Sequence, residues 1–354
     1  MSMPGAAAGK ASPIDRIKPG IKICAQMSPE PTETDLAWVR QMGVGHVVLW
    51  TDATKSGAEY YASRKKLFGD HGIEVYGFGN SDVHNQPAIV LRLDNTSGAR
   101  NGFDAKVEQY ERHLQALGQA GIPYTTYAHM PNGIWSTERE RTRGGADARG
   151  FDLARATSGH WRNAEYSLPL TNGREYSEEE IWENWAEWIR QVAPVAESEN
   201  VMIGIHPDDP PIPRLGGVSR IFSTFESYKK ALAIADSPNV GVCLCIGCWL
   251  EGGVEVWGVD ALEAIKYFGE QKKLFKVHFR NVDAPMPHFV ETFVDDGYFD
   301  MYTAMRALQQ VGFRGVVIPD HIPRMADDPR LGTAYTIGYM KALLRRAEEE
   351  VGAG

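Results

Sequence analysis

The sequence is poor in the features that mark membrane, secreted or nucleic-acid-binding proteins. No stretch approaches 18 uninterrupted apolar residues, so no segment reads as a membrane-spanning helix. Residues 1–18 lack the apolar centre of a secretion signal and read as a flexible leader. Cysteine is scarce: Cys24, Cys243, Cys245 and Cys248 are too few and too bunched for a disulfide framework in 354 residues, and reduced thiols are expected. Lys and Arg number 37 against 46 acids, and the net charge of −9, with no basic tract to offset it, argues against a nucleic-acid partner. No G-x-G-x-x-G or P-loop pattern stands at a strand–helix junction, which disfavours a nucleotide cofactor. These absences leave a cytoplasmic protein without a membrane partner. Its 43% apolar and 10% aromatic residues suffice for one large core, taken as a single domain over residues 19–354.

What is present is alternation. Short apolar runs at 21–27, 46–51, 73–78 and 123–130 are separated by helical patterns at 32–43, 57–72 and 104–121. Residues 130–176 then show no clear periodicity. They hold Trp135, Arg139, Arg141, Arg143 and Arg149, and they read as a lid-like insertion after strand four. Ser177 and Glu180 have capping-box spacing, and Ile181, Trp182, Trp185, Trp188, Ile189 and Val192 follow at helical spacing. That stripe reads as core packing. A second capping box is expected at Ser223 and Glu226, and later helices near 259–268, after Asp300, and over 332–349. Eight strand–helix units in alternation predict an α/β fold, a TIM (β/α)8 barrel.

Four of the predicted strands end in chemistry. Residues 203–213 read Ile-Gly-Ile-His-Pro-Asp-Asp-Pro-Pro-Ile-Pro, an apolar run that stops at His206. Val242-Cys-Leu-Cys245, Phe275-Lys-Val-His278 and Val316-Val-Ile-Pro-Asp320 repeat the design, with gaps of 39, 33 and 42 residues, about one strand–helix–strand unit each. Two imidazoles, a thiolate and a carboxylate on one rim can close around a divalent ion, with the thiolate favouring Mn, Fe, Co or Zn over Ca or Mg. Asp208 and Asp209 read as supports of that site, as a base, or as loop caps. His84 and His129, at the ends of strands three and four, are candidates to line the pocket. Arg280 and Arg324, with the loop arginines, could grip an anionic substrate by bidentate contacts. Tyr335 and Tyr339 lie one turn apart on the last helix, where one facing the mouth could move protons. Cys243 reads as a small buried apolar residue. Neither it nor Cys248 is expected to be a ligand.

The blocks Ile205-His206-Pro-Asp-Asp-Pro-Pro, Leu244-Cys245-Ile-Gly, Val277-His278-Phe-Arg280-Asn281-Val282, Asp300-Met301-Tyr and Pro319-Asp320-His321 resemble the mannonate dehydratase family. The likeness is close from residue 203 onward and loose before it. It implies a xylose isomerase-like TIM barrel and a hydro-lyase that converts D-mannonate to 2-keto-3-deoxygluconate with a divalent metal, typically manganese. It further implies His206, Cys245, His278 and Asp320 as metal ligands and His321 and Tyr335 as acid/base residues. His129, Arg280, Asn281 and Arg324 complete the expected substrate contacts. The partner is then a small sugar acid, and association into a homo-oligomer is expected. Two departures stand out: Cys245-Ile-Gly-Cys248 replaces the family's Cys-Thr-Gly-Ser, and Ile322-Pro323 separate His321 from Arg324. A different aldonate as substrate is an alternative. So is a xylose isomerase-like isomerase or epimerase, although such enzymes generally place Glu where this chain has His206 and Asp320. A metal-binding barrel without this catalysis is the third reading.

Overall fold

Eight parallel strands close into a barrel in the computed structural model, which describes residues 11–93, 102–326 and 328–352. The strands are β1 (Lys22–Met27), β2 (His46–Thr51), β3 (Glu74–Asn80), β4 (Tyr124–Ala128), β5 (Met202–His206), β6 (Val240–Cys245), β7 (Leu274–Phe279) and β8 (Val316–Pro319). Each pairs with its sequence neighbours, and β8 returns to β1. Helices α1 (Glu33–Gln41), α2 (Ala58–Asp70), α3 (Phe103–Ala120), α4 (Glu178–Ser198), α5 (Phe225–Ala235), α6 (Ile246–Trp257), α7 (Ala261–Glu270), α8 (Met301–Gln310) and α9 (Pro329–Gly352) connect them. Parallel strands covered on both faces explain why the strand sequences are nearly continuous apolar runs.

The barrel interior is filled by Cys24, Val48, Tyr76, Tyr124, Met202, Phe275, Val316 and Ile318. Ile14 joins this cluster from below. It sits in a single 3-10 turn, Pro13–Arg16, and is buried. The expected leader is therefore too long: residues 1–10 lie outside the described residues, whereas 13–16 are tied to the barrel floor by apolar burial.

The tryptophan stripe of α4 packs inward as its spacing implies. Trp188 stacks on Tyr127 at 3.9 Å, and Trp185 lies edge-on to Phe222 at 4.9 Å. Truncating either tryptophan to alanine would cost about 3–5 kcal/mol. Its start is half of the expected box: Ser177 accepts from the Glu180 N–H, but the Glu180 carboxylate pairs with Arg174 instead. The second expected box does not form, and the cap itself lies one residue later. Thr224, not Ser223, caps α5, and Ser223 Oγ donates to the Arg220 carbonyl. Helix α6 was not anticipated: it starts at Ile246 directly after β6 with no intervening turn, and Gly247, Gly252 and Gly253 interrupt its sequence.

The insertion after β4 is built from short pieces. Ile134–Trp135, Ser158–Trp161 and Ala164–Ser167 form a three-stranded sheet. Gly150–Asp152 pairs with His288–Thr292, which in turn pairs with Asn281–Val282 just beyond β7. Strands of two to five residues are too short to display a period, which is why the sequence looked irregular here.

Candidate active site at the carboxyl rim of the barrel

His206 ends β5, Cys245 ends β6, His278 is the penultimate residue of β7 and Asp320 follows β8. Cys245 and His278 are register partners on adjacent strands, so closure of the barrel brings the four side chains together. His206 Nδ1 lies 2.7 Å from the Pro207 carbonyl oxygen, an arrangement that leaves Nε2 facing His278 Nδ1 at 3.2 Å. His278 Nδ1 is 3.5 Å from Asp320 Oδ2, and Cys245 Sγ is 3.7 Å from the same oxygen. Cys245, His278 and Asp320 each offer one ligand atom, all within 4.8 Å of one another.

The electrostatics favour a cation among these atoms. Burial would raise the Cys245 thiol, but the hydrogen bond from Cys248 and the Arg280 charge hold it well below its ordinary value. Burial likewise opposes ionisation of Asp320, yet His321, His278 and Arg280 keep it ionised. A thiolate and a carboxylate this close repel unless positive charge lies between them. The donor set of two imidazoles, one thiolate and one carboxylate fits a borderline divalent ion. Cys243 has more to do than expected of an inert core residue: its Sγ lies 3.6 Å from His278 Nε2. Burial would raise this thiol, but the His278 and Lys276 charges bring it down to about 6. It thereby fixes the far side of the ring whose Nδ1 faces the site.

His321 comes next along the chain, with φ +43°. A non-glycine residue in the left-handed region is uncommon and costs of order 1 kcal/mol, a strain that collects at functional sites. Its Nδ1 stands 2.8 Å from Glu291 Oε1, and its side chain is 32% exposed at the mouth. Desolvation lowers its pKa, but Asp320 and Glu291 outweigh that and raise it to about 9.

Behind the rim lies a buried ionic cluster that sequence reasoning largely missed. Arg280 is fully buried and pairs with Glu291 at 2.7 Å, Glu251 at 3.0 Å and Asp209 at 3.3 Å. Arg149, from the insertion, reaches Asp209 at 2.6 Å and Glu291 at 2.9 Å. Arg280 is thus committed to these carboxylates, to His321 Nδ1 and to the sulfurs of Cys245 and Cys248, and it does not line the pocket. Asp208 and Asp209 separate in role. Asp208 accepts from the Phe222 N–H and pairs with Arg220, while Asp209 lines the pocket and anchors both arginines. Asp209, Cys248 and Glu251 form another cluster of ligand-type atoms, but Arg149 and Arg280 already contact its carboxyl groups.

The remaining expected substrate contacts also lie away from the pocket lining. His129 turns into the aromatic cluster, its Nδ1 2.8 Å from the Tyr127 hydroxyl and its ring edge-on to Trp185. Asn281 is buried and donates to the Val294 and Phe299 carbonyls, holding the loop after β7. Arg324 is exposed and bridges through its backbone to Asp147 of the insertion. The Tyr335 hydroxyl donates to Asp295 Oδ2 at 2.7 Å, and Asp295 is held in turn by Arg143. His129, Asn281 and Tyr335 each meet a local polar or packing need that only the folded neighbours reveal, and Arg324 does so through its backbone.

The cavity above the rim measures about 660 Å³. One side is polar, with His206, His278, Asp209, Asp320 and His321; the other is apolar, with Trp50 and Trp161 among its residues. Its volume falls in the range that holds a small molecule. His84 does line it, its ring tilted against Trp161 at 4.9 Å and edge-on to Trp50 at 5.0 Å. Burial, followed by nearby His206, lowers His84 to about 3 and keeps it neutral. Trp161 sits on the insertion hairpin, where Arg162 pairs with Asp82 of the loop after β3.

The chain is similar to known proteins in sequence and in fold. A mannonate dehydratase of Oceanobacillus iheyensis is 29% identical over 243 residues, covering 62% of this chain and 66% of that protein. One from Streptococcus suis is 27% identical over 313 residues, covering 80% and 82%. The crystal structure of the mannonate dehydratase of Streptococcus suis serotype 2 superposes with a TM-score of 0.77 at 22% identity, over 94% of this chain and 96% of that one. A xylose isomerase domain protein of Alicyclobacillus acidocaldarius shares the fold at a TM-score of 0.60 and 14% identity, over 93% and 100%. Residues 28–348 match the D-mannonate dehydratase (UxuA) family, and the chain therefore belongs to that family of hydro-lyases.

Proposed function

We propose that this protein removes water from D-mannonate to give 2-keto-3-deoxy-D-gluconate, with a divalent metal held by His206, Cys245, His278 and Asp320. The observation that carries the reading is the convergence of these donors at one rim, with His321 beside Asp320 at the mouth. A bound divalent ion would supply Lewis acidity toward the substrate's carboxylate and hydroxyl oxygens, where charge develops as the α-proton leaves. Manganese is the first ion to test, followed by iron, cobalt, magnesium and zinc.

The chain's own residues account for orientation and proton transfer. With His321 Nδ1 engaged by both Glu291 and Arg280, Nε2 is the nitrogen left to face a substrate and exchange a proton with it. Tyr335 is the second proton-transfer candidate, and release of its hydroxyl from Asp295 would be needed for that role. The wall of Trp50, His84 and Trp161 shields the far end of the substrate from water. Among the described residues no helix is long and apolar enough to cross a membrane, and the four cysteines are free. We place the protein in the cytoplasm, and light scattering would test the expected homo-oligomer.

The deciding assay offers D-mannonate to manganese-loaded protein and follows the 2-keto-3-deoxy acid. Product should vanish with chelator and in Asp320→Ala. Tight manganese binding without product would redirect the search to other aldonates and to isomerase chemistry. Failure to bind any divalent ion would overturn the site.

A further inference from the structure

Cys245 and Cys248 form a C-x-x-C pair at a helix start, a geometry that the metal reading does not need. Cys245 is the N-cap of α6, and its Sγ accepts from the Cys248 N–H at 3.4 Å. The two sulfurs lie within 4.8 Å of each other. Arg280 Nη2 contacts both, at 3.3 Å to Cys245 and 3.1 Å to Cys248, and so gathers them under one positive charge. Both thiols are free and buried. A C-x-x-C pair at a helix start beside a guanidinium has an arrangement in which two thiols can interconvert with a disulfide, and because both sulfurs are fully buried only a small oxidant can reach them.

We propose that Cys245 and Cys248 are a peroxide-sensitive pair, and that their disulfide withdraws Cys245 from the metal site. The proposal rests on the reading of Cys245 as a ligand, because only then does oxidation switch metal binding. The Cys245 thiolate attacks one oxygen of hydrogen peroxide, breaks the O–O bond and becomes a sulfenic acid; the hydroxide released takes up a proton. The Cys248 sulfur then attacks the Cys245 sulfur, forms the S–S bond and displaces the hydroxyl, which leaves as water after protonation. Two thiols and one peroxide give one disulfide and two waters, and the pair loses two electrons. Closing the sulfurs to a bond of about 2.05 Å moves Cys245 Sγ toward α6 and away from Asp320. A bound metal would occupy the thiolate and protect it.

The test exposes reduced, chelator-treated protein and manganese-loaded protein to graded hydrogen peroxide. Intact mass, peptide mapping after alkylation of free thiols, and manganese binding are read separately. The metal-stripped protein should lose about 2 Da, yield a linked 245–248 peptide, bind manganese at least about tenfold more weakly, and recover with dithiothreitol. Manganese-loaded protein should resist at the same peroxide level. Cys248→Ser, and Cys248→Ala should the serine variant fold poorly, should form no link and should accumulate oxygen on Cys245 instead. Oxygen retained on Cys245 of the unsubstituted protein with no 245–248 link following, a 243–245 link, or a 245–248 link that leaves manganese affinity unchanged would overturn the proposal. If reduced protein binds no manganese, the ligand reading fails, while the mass data still report whether the pair links.

Discussion

Arg280 crosses the start of α6 directly over Gly247, so closely that a Cβ at residue 247 would collide with its Nε. The glycine is what lets the guanidinium reach Cys245, Cys248 and Glu251 at once. Gly247→Ala must displace either the helix start or Arg280. It is expected to destabilise the fold by about 1–3 kcal/mol and to weaken metal binding together with it. Denaturant unfolding and metal stoichiometry on the same preparation check this. Unchanged stability with unchanged binding would show that the crossing is not tight.

Arg149 ties the insertion to the barrel. Its buried guanidinium meets Asp209 and Glu291, and removing it leaves carboxylates buried with less positive charge. Arg149→Met is expected to cost about 3–5 kcal/mol, far more than loss of an exposed pair such as Arg345–Glu349. Urea midpoints of Arg149→Met and Arg345→Met compare the two directly.

Glu251 gives the cluster a pH dependence. Burial outweighs the Arg280 charge and raises its carboxyl to about 8, from an ordinary value of 4.5. Between those values the folded chain keeps the proton and the unfolded chain has lost it. The resulting stabilisation is complete below about pH 4.5 and is lost as pH rises through about 8, with a slope of at most about 1.4 kcal/mol per pH unit. Glu251→Gln removes the titration. Unfolding free energies of the two proteins across pH 5–9 should converge in slope outside the window and differ within it; parallel curves throughout would contradict the assignment.

His321 and Tyr335 differ in geometry and should differ in kinetics. His321 faces the cavity, and Tyr335 is bonded to Asp295 at the rim. His321→Gln should lower kcat by about 10²–10⁴, the usual worth of a positioned acid or base. Tyr335→Phe should lower kcat less than about tenfold if its bond to Asp295 persists during turnover. A loss comparable to that of His321→Gln would make it a direct proton-transfer group.

The sequence by itself determined the architecture. Eight apolar runs separated by helical patterns leave few ways to bury both faces of a parallel sheet. A histidine, cysteine or aspartate at the end of four such runs then has to meet the others when the barrel closes. The convergence of His206, Cys245, His278 and Asp320 at one rim was legible for that reason: strand direction and strand ends are local properties. The tertiary structure decided what depends on contacts between distant segments. Arg280 and Asn281 follow a strand end as a substrate group would, yet burial commits one to Glu251 and Glu291 and the other to backbone carbonyls. His129 points into the tryptophans of α4, and Trp161 reaches the pocket from a hairpin of four-residue strands without a readable period. A buried charge takes its role from partners far away in sequence, and no local pattern encodes which partners those are.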